Sequence, residues 1–139
     1  MIDLHYSFFI GRTSKKLKSA LQKKLSQLEH NITVDQWLII YVLHLNGEMS
    51  QTDLAGNTLK DSPAITRIVD HLLFKNYLLK NPCPVDRRSF KVSLSDNGKE
   101  VVEYMLPHLV EFRENGWKGL SEEDYHTLKR ILNQVFHNY

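Results

Sequence analysis

One cysteine, Cys83, is all that the 139-residue chain contains. A lone thiol excludes an intrachain disulfide framework, and nothing else points to an oxidising compartment, so a reducing cytoplasm is the expected location. Prolines number four and glycines six. No Gly/Ser/Pro-rich linker, low-complexity tract or internal repeat breaks the chain, and a single domain over 1–139 is expected. Long apolar runs are missing as well. The longest, WLIIYVLHL at 37–45, is interrupted by His44 and falls far short of the roughly 20 residues that cross a bilayer. The N-terminal MIDLHYSFFIGR has an acid at position 3 and no basic stretch before its short apolar run, unlike a secretory signal. A soluble protein without a membrane role is expected. No Gly-rich phosphate loop or nucleophile–base pair stands out, so no enzyme is expected. The seven histidines are scattered, as His5, His30, His44, His126 and His137 show; His108 with Glu111 is the nearest approach to a ligand pair. No metal or cofactor is therefore expected.

Charge is nearly balanced, at +2 overall, but unevenly placed. Residues 1–30 carry +4, 31–49 carry −2, 50–100 carry +2 and 101–139 carry −2. The net charge argues neither for nor against a polyanionic partner; the basic excess lies in the first segment and the middle, and the C-terminal part is acidic.

Hydrophobic spacing and capping residues set the order of elements. Leu4, Phe8, Leu17, Leu21, Leu25 and Leu28 recur at helical spacing, with lysines 15, 16, 18, 23 and 24 mostly between them, which predicts a long amphipathic first helix. Thr33 and Gln36 form a capping box before VDQWLIIYVLHL, a helix apolar around most of its circumference and expected to end near Asn46-Gly47. Ser50 with Asp53 caps a short third helix, QTDLAGNT. After the turn Leu59-Lys60-Asp61, Ser62 is expected as the N-cap and Pro63 as the first residue of a fourth helix over 63–75. That helix has Ile65, Ile68, Val69 and Leu72 on one face and Ala64, Thr66, Arg67, Asp70 and His71 on the other. Asn76 suits a left-handed C-cap, YLLKN reads as a strand running to Pro82, and Phe90, Val92 and Leu94 alternate with Ser89, Lys91 and Ser93 as its hairpin partner. Ser95 caps a fifth helix with Val101, Val102, Met105, Leu106 and Leu109 inward, bent by Pro107. Ser121 to Asp124 caps a sixth, presenting Leu128, Ile131, Leu132, Val135 and Phe136.

Two helices across a tight turn, followed at once by a hairpin with arginines at its tip, form the winged helix-turn-helix plan. A helix fits the major groove of B-DNA, while a slender loop enters the minor groove beside it. Arginine suits the loop, because the minor groove deepens its negative potential as it narrows.

The residues ITVDQWLII (32–40), MSQTDLA (49–55), AITRIVDHL (64–72) and KNYLLKNPCPVDRRSFKVSLSDNGKE (75–100) resemble the MarR (multiple antibiotic resistance regulator) family of transcription factors. Its pattern of Thr-x-x-Gln-Trp, Gln-x-x-Leu-Ala, Thr-Arg-x-x-Asp, Asp-x-Arg and Leu-Ser/Thr-x-x-Gly appears in order over essentially the full chain. The resemblance implies a mainly α fold with a small β-hairpin wing. It implies a homodimer built on helices in 1–30 and 96–139, with a DNA-binding lobe over 31–95 that reads a pseudo-palindromic operator in double-stranded DNA. Three departures are visible: His71 stands where a base is common, so a phosphate contact there is lost or made pH-dependent, Asn76 replaces a frequent Gly, and Cys83 replaces an acid.

Ser62, Ala64, Thr66, Arg67 and His71 are the expected DNA-facing residues of the recognition helix, with Arg67 the candidate for a guanine. Ser50, Gln51 and Thr52, at a helix N-terminus, are expected on phosphates. In the wing, Asp86 orients the loop, Arg88 reads the groove and Arg87 stands beside it. Family resemblance further implies a small-molecule effector, often an aromatic anion; Tyr6, Phe9, Arg12, Trp37 and Tyr41 could line its pocket, with the arginine for a carboxylate. A winged-helix protein-interaction module without DNA binding is one alternative. A redox-responsive repressor using Cys83, its thiolate favoured by Arg87 and Arg88, is another, although oxidation-sensing relatives carry their cysteine in the first helix.

Overall fold

The computed structural model describes residues 5–86 and 88–139. Its elements run α1 (Tyr6–Ser26), α2 (Val34–Asn46), β1 (Met49–Ser50), α3 (Gln51–Thr58), α4 (Ser62–Phe74), β2 (Leu78–Pro82), β3 (Phe90–Leu94), α5 (Asp96–Gly116) and α6 (Glu122–Asn138). The chain forms two compact units, one running to Leu106 and the other from Pro107 to Tyr139. Among the described residues no helix is long and apolar enough to cross a membrane.

In the first unit the core gathers on α2. Its Trp37, Ile39, Ile40 and Leu43 are buried together with Leu54 of α3, Ile65, Val69 and Leu72 of α4, and Val101, Val102 and Met105 of α5. The capping box is present as expected: the Thr33 hydroxyl accepts from the Gln36 amide at 3.1 Å, and Gln36 Oε1 accepts from the Thr33 amide at 3.1 Å. Gly47, at φ 76°, ends the helix in a conformation that an L side chain resists.

The first helix stops earlier than Leu28. The amides of Gln27 and Leu28 bond to the carbonyls of Lys24 and Leu25 in a tightened last turn, and His30 and Asn31 then both take positive φ, at 77° and 51°. Two consecutive non-glycine residues in that region are strained. The linker is held by others: the Tyr104 hydroxyl accepts from the Glu29 amide at 3.1 Å, and Lys75 Nζ donates to the Asn31 carbonyl at 2.8 Å. Leu4 lies outside the described residues.

Two further expectations are corrected. Asp61, not Ser62, caps α4: its carboxylate accepts from the Ala64 amide at 2.8 Å, Ser62 is already helical and Pro63 follows it. Leu59, at φ 54°, turns the chain one residue early, and the positive helix end favours a charged cap over a neutral hydroxyl. The wing is a three-stranded antiparallel sheet in the order β1-β3-β2 rather than a two-stranded hairpin. Met49 pairs with Val92 and Ser50 with Lys91, a strand too short to leave an alternating pattern.

The base of the wing is closed by a dense set of bonds. Asn76, at φ 63°, turns α4 into β2. The Ser95 amide donates to the Tyr77 carbonyl at 3.0 Å, while its hydroxyl donates to the Asn76 carbonyl at 2.6 Å and accepts from the Gly98 amide at 3.0 Å. Gly98 presses on the same Tyr77 carbonyl, where a β-carbon would collide with a backbone oxygen that cannot rotate away.

A second set of bonds crosses the helix-turn-helix. Lys60 Nζ lies 2.9 Å from Asp35 Oδ1, and Lys18 Nζ of α1 lies 3.4 Å from the same oxygen. The Lys60 hydrogen bond, against some burial, and then the charges of Lys60 and Lys18 hold the Asp35 carboxyl below its ordinary range.

In the second unit Gly119, at φ 86°, leads into α6. Ser121 and Asp124 make the expected capping box, at 2.8 and 3.1 Å. Trp117 Nε1 donates to the Ser121 carbonyl at 3.0 Å and its ring meets Tyr125 edge-on. No residue of α6 is buried. Pro107 lies inside α5, which continues to Gly116.

Two measurements check these contacts. Gly98→Ala is expected to lower the free energy of unfolding by about 1–3 kcal/mol, the usual range for overpacking, measured by chemical denaturation; an unchanged midpoint contradicts the close approach. For Asp35, a folded pKa below the unfolded value of 3.8 means that its stabilisation is complete above that value and is lost as pH falls through the folded one. The stability gap between wild type and Asp35→Asn, about 1 kcal/mol or less for a carboxylate 42% exposed, is therefore expected to hold at neutral pH and to close on acidification below the unfolded value. A gap that persists in strong acid contradicts the ion pair.

Candidate nucleic-acid interface

The buried stripe of α4, Ile65, Val69 and Leu72, settles which face is left for a partner. Ser62, Thr66, Arg67, Asp70 and His71 are exposed, and Ala64 is half-buried at the border. Arg67 makes no ion pair with Asp70 or with any other acid among the described residues, so its guanidinium is available to a base edge or a phosphate.

Thr66 is less available than expected. Its hydroxyl lies 3.0 Å from the Ser62 carbonyl and 3.0 Å from the side-chain amide of Gln51. A hydroxyl has one proton to donate. If it goes to the carbonyl one turn back, Gln51 must turn its NH2 group toward Thr66 and present its oxygen outward. Either way, a residue expected on phosphate and one expected on a base are joined, and the start of α3 is tied to the first turns of α4. They stand 15 positions apart, and no local pattern announces the bond. The Ser50 hydroxyl is engaged in the same region, accepting from the Asp53 amide at 3.1 Å as the N-cap of α3. Thr52 is exposed beside it.

The wing loop is built on Asp86. Its carboxylate accepts from the Arg88 amide at 3.0 Å and from the Ser89 hydroxyl at 3.2 Å, and its carbonyl accepts from the Ser89 amide at 3.1 Å. The Cys83 amide closes the loop onto the Ser89 carbonyl at 3.2 Å. A short side chain that bonds the backbone two residues on is the Asx-turn device, and here it presents an exposed Arg88. Arg87 lies outside the described residues. Lys80 adds charge to the same sheet, its ammonium 4.1 Å over the Phe90 ring, and Lys91 is exposed on β3. Period-two alternation marks these lysines as wet but does not distinguish them from ordinary solvated charge.

Cys83 is half-exposed and unpaired. Backbone N–H groups of Val85 and Asp86 draw its thiol below the ordinary range, with a smaller contribution from Lys91. Of the two arginines expected to act on it, Arg88 is not among the causes, and Arg87 lies outside the described residues.

The residues expected to line a ligand pocket fall into two groups. On α1 the Arg12 guanidinium lies 4.8 Å from the Phe9 ring and 5.7 Å from that of Phe8, with Tyr6 and Phe9 52% and 43% exposed. On α2 Trp37 stacks on Tyr41 at 5.6 Å, and Tyr41 on His44 at 6.1 Å. An open hollow of about 450 Å3 is lined instead by Glu122, Glu123, His126, Thr127 and Arg130 of α6, none of them an expected ligand residue. Among the described residues, no group of three His, Cys, Asp or Glu is placed to hold a metal.

Comparison with known proteins bears on the whole arrangement. Residues 32–90, from just before α2 to the first residue of β3, match the model of the MarR family. The HTH-type transcriptional repressor IacR of Pseudomonas putida is 25% identical over 131 residues, covering 94% of this chain and 77% of its own. Among solved structures, the S. aureus MepR–DNA complex superposes with a TM-score of 0.86 at 22% identity, over 99% of this chain and 100% of that one. Bordetella bronchiseptica BpsR, solved in a study of how 6-hydroxynicotinic acid regulates its DNA binding, gives 0.83 at 20% identity over 93% and 96%. Motif order and the matched stretch agree: residues 32–90, which hold the helix-turn-helix, are similar to the MarR family, and the fold is that of the solved relatives.

Proposed function

We propose that the protein is a sequence-specific DNA-binding transcriptional regulator that acts as a homodimer on a pseudo-palindromic operator, a repressor released by a small aromatic or anionic ligand. The observation that carries this reading is the pairing, in one unit, of an unengaged Arg67 on the outward face of α4 with an Arg88 held out by the Asp86-braced wing. A major-groove helix and a minor-groove loop require such a pair of cations. The names of the relatives support it, since IacR is a repressor and MepR was solved on DNA.

In this reading Arg67 contacts a guanine, while Ser62, Ala64 and His71 approach neighbouring bases or phosphates. Thr66 acts through its bond to Gln51, and Thr52 and the amides at the start of α3 take phosphates together with Ser50. Arg88 enters the minor groove, Arg87 assists it, and Asp86 holds the loop. Leu17 of α1 and Leu128, Ile131 and Phe136 of α6, 43–57% exposed, supply apolar stripes for a second copy. Apolar stripes of that kind favour a symmetric partner. Regulation of BpsR by 6-hydroxynicotinic acid supports an aromatic acid as effector, with the Arg12–Phe9 cluster as the group suited to one. An effector of this kind acts only by binding two conformations of the dimer with different affinity. No catalytic role is assigned, and the repressor named among the relatives favours DNA binding over a protein-interaction module.

Selection from random duplexes is expected to return a two-fold-related site. On that duplex Arg88→Ala is expected to weaken binding and to reduce the slope of log affinity against log salt by about one. Arg67→Ala is expected to cost about 1–3 kcal/mol and to relax preference at one base pair per half-site. Unchanged affinity and slope in Arg88→Ala contradict the wing's role.

A further inference from the structure

We propose that Asp35 is a positioning residue for the recognition helix: held between Lys60 of the α3–α4 turn and Lys18 of α1, its carboxylate sets the angle at which α4 meets DNA. The proposal rests on the DNA-binding reading above.

Asp35 sits on a fixed support. It lies in the first turn of α2, between the capping residues Thr33 and Gln36, beside the buried Trp37. The amide of neighbouring Val34 donates to Gln22 Oε1 of α1 at 3.0 Å. A carboxylate in the first turn is also favoured by the positive end of the helix.

The turn it grips has few other constraints. Leu59 occupies a left-handed conformation at φ 54°, Lys60 follows, and Asp61 is the cap of α4. The Lys60 side chain is only 21% exposed, with its ammonium 2.9 Å from Asp35. A lysine so covered and so paired is committed to the protein rather than extended toward phosphate. One tether therefore fixes the residue immediately before the cap, and with it the direction in which α4 leaves the turn. Lys18, 61% exposed and 3.4 Å from the same Oδ1, extends the link to α1. A carboxylate shared by two ammonium groups couples a terminal helix to the reading helix.

Electrostatics and positioning predict opposite signs, which makes the proposal testable. Asp35→Asn removes a negative charge and releases two ammonium groups, so counterion release alone would tighten binding to any duplex. Loss of positioning weakens the selected operator only. Wild type and Asp35→Asn are compared on the operator and on a random duplex, with melting temperature and hydrogen exchange over residues 57–64 recorded for both. The expected result is operator affinity lower by roughly 2- to 5-fold, the most that a pair of this strength can contribute, random-duplex affinity equal or higher, and faster exchange in the turn. Partial recovery of operator affinity is expected in the double variant with Asp35→Lys and Lys60→Asp, while Lys60→Gln is expected to reproduce the faster exchange in the turn and the preferential loss on the operator. Operator affinity that is unchanged or raised overturns the proposal, as does a fall shared equally by both duplexes. If the wild type prefers no duplex, the DNA-binding reading has failed, and the exchange data decide alone: unchanged protection of the turn in Asp35→Asn overturns the tether, and faster exchange upholds it.

Discussion

The geometry of the first unit depends on one carbonyl cluster at the base of the wing. The Tyr77 carbonyl accepts from the Ser95 amide, the Asn76 carbonyl accepts from the Ser95 hydroxyl, and the Gly98 backbone packs on Tyr77 without a side chain between them. Three elements meet there: the end of α4, the outer strand of the wing and the start of α5. Each backbone group in the cluster is satisfied, so little freedom remains for the wing to swing relative to α4. The placing of Arg88 beside α4 follows from that closure. The Leu-Ser-x-x-Gly segment, 94–98, is therefore a structural hinge pin rather than a contact surface.

Much of this was legible in the sequence because it is local. The two capping boxes, the Gly47 stop, the left-handed Asn76 and the buried face of α4 are each written within four or five residues, where helix geometry and φ preferences act directly. The misreadings have equally local causes. Ser62 and Asp61 are both good caps, and Asp61 takes the role after Leu59 adopts a conformation that leucine rarely takes. β1 has two residues and exists only because β3 lies beside it. The bond between Gln51 and Thr66, and the tether of Asp35 to Lys60 across 25 positions, depend on tertiary packing. Composition and periodicity carry no trace of either. Of the residues expected to line a pocket, the fold sets Phe9 with Arg12 on α1 and Trp37 with Tyr41 on α2.

The apolar surface that this chain does not bury is as informative as its core. α6 has no buried residue at all, yet it keeps Leu128, Ile131, Leu132 and Phe136 at helical spacing. Its capping box and the Trp117 bond into the turn before it specify where it starts, so the helix is defined locally while its apolar stripe awaits a partner. Large exposed apolar stripes on a small protein mark interaction surfaces, and a second copy offers complementary apolar area without further components.

The central claim is that α4 and the wing contact DNA in adjacent major and minor grooves. Methylation interference on the selected operator tests it most directly, because dimethyl sulphate marks guanine N7 in the major groove and adenine N3 in the minor groove. The account predicts interference at guanine N7 within each half-site and at adenine N3 on its flank, the pattern repeating about one or two helical turns away. Binding that is indifferent to both modifications would contradict it.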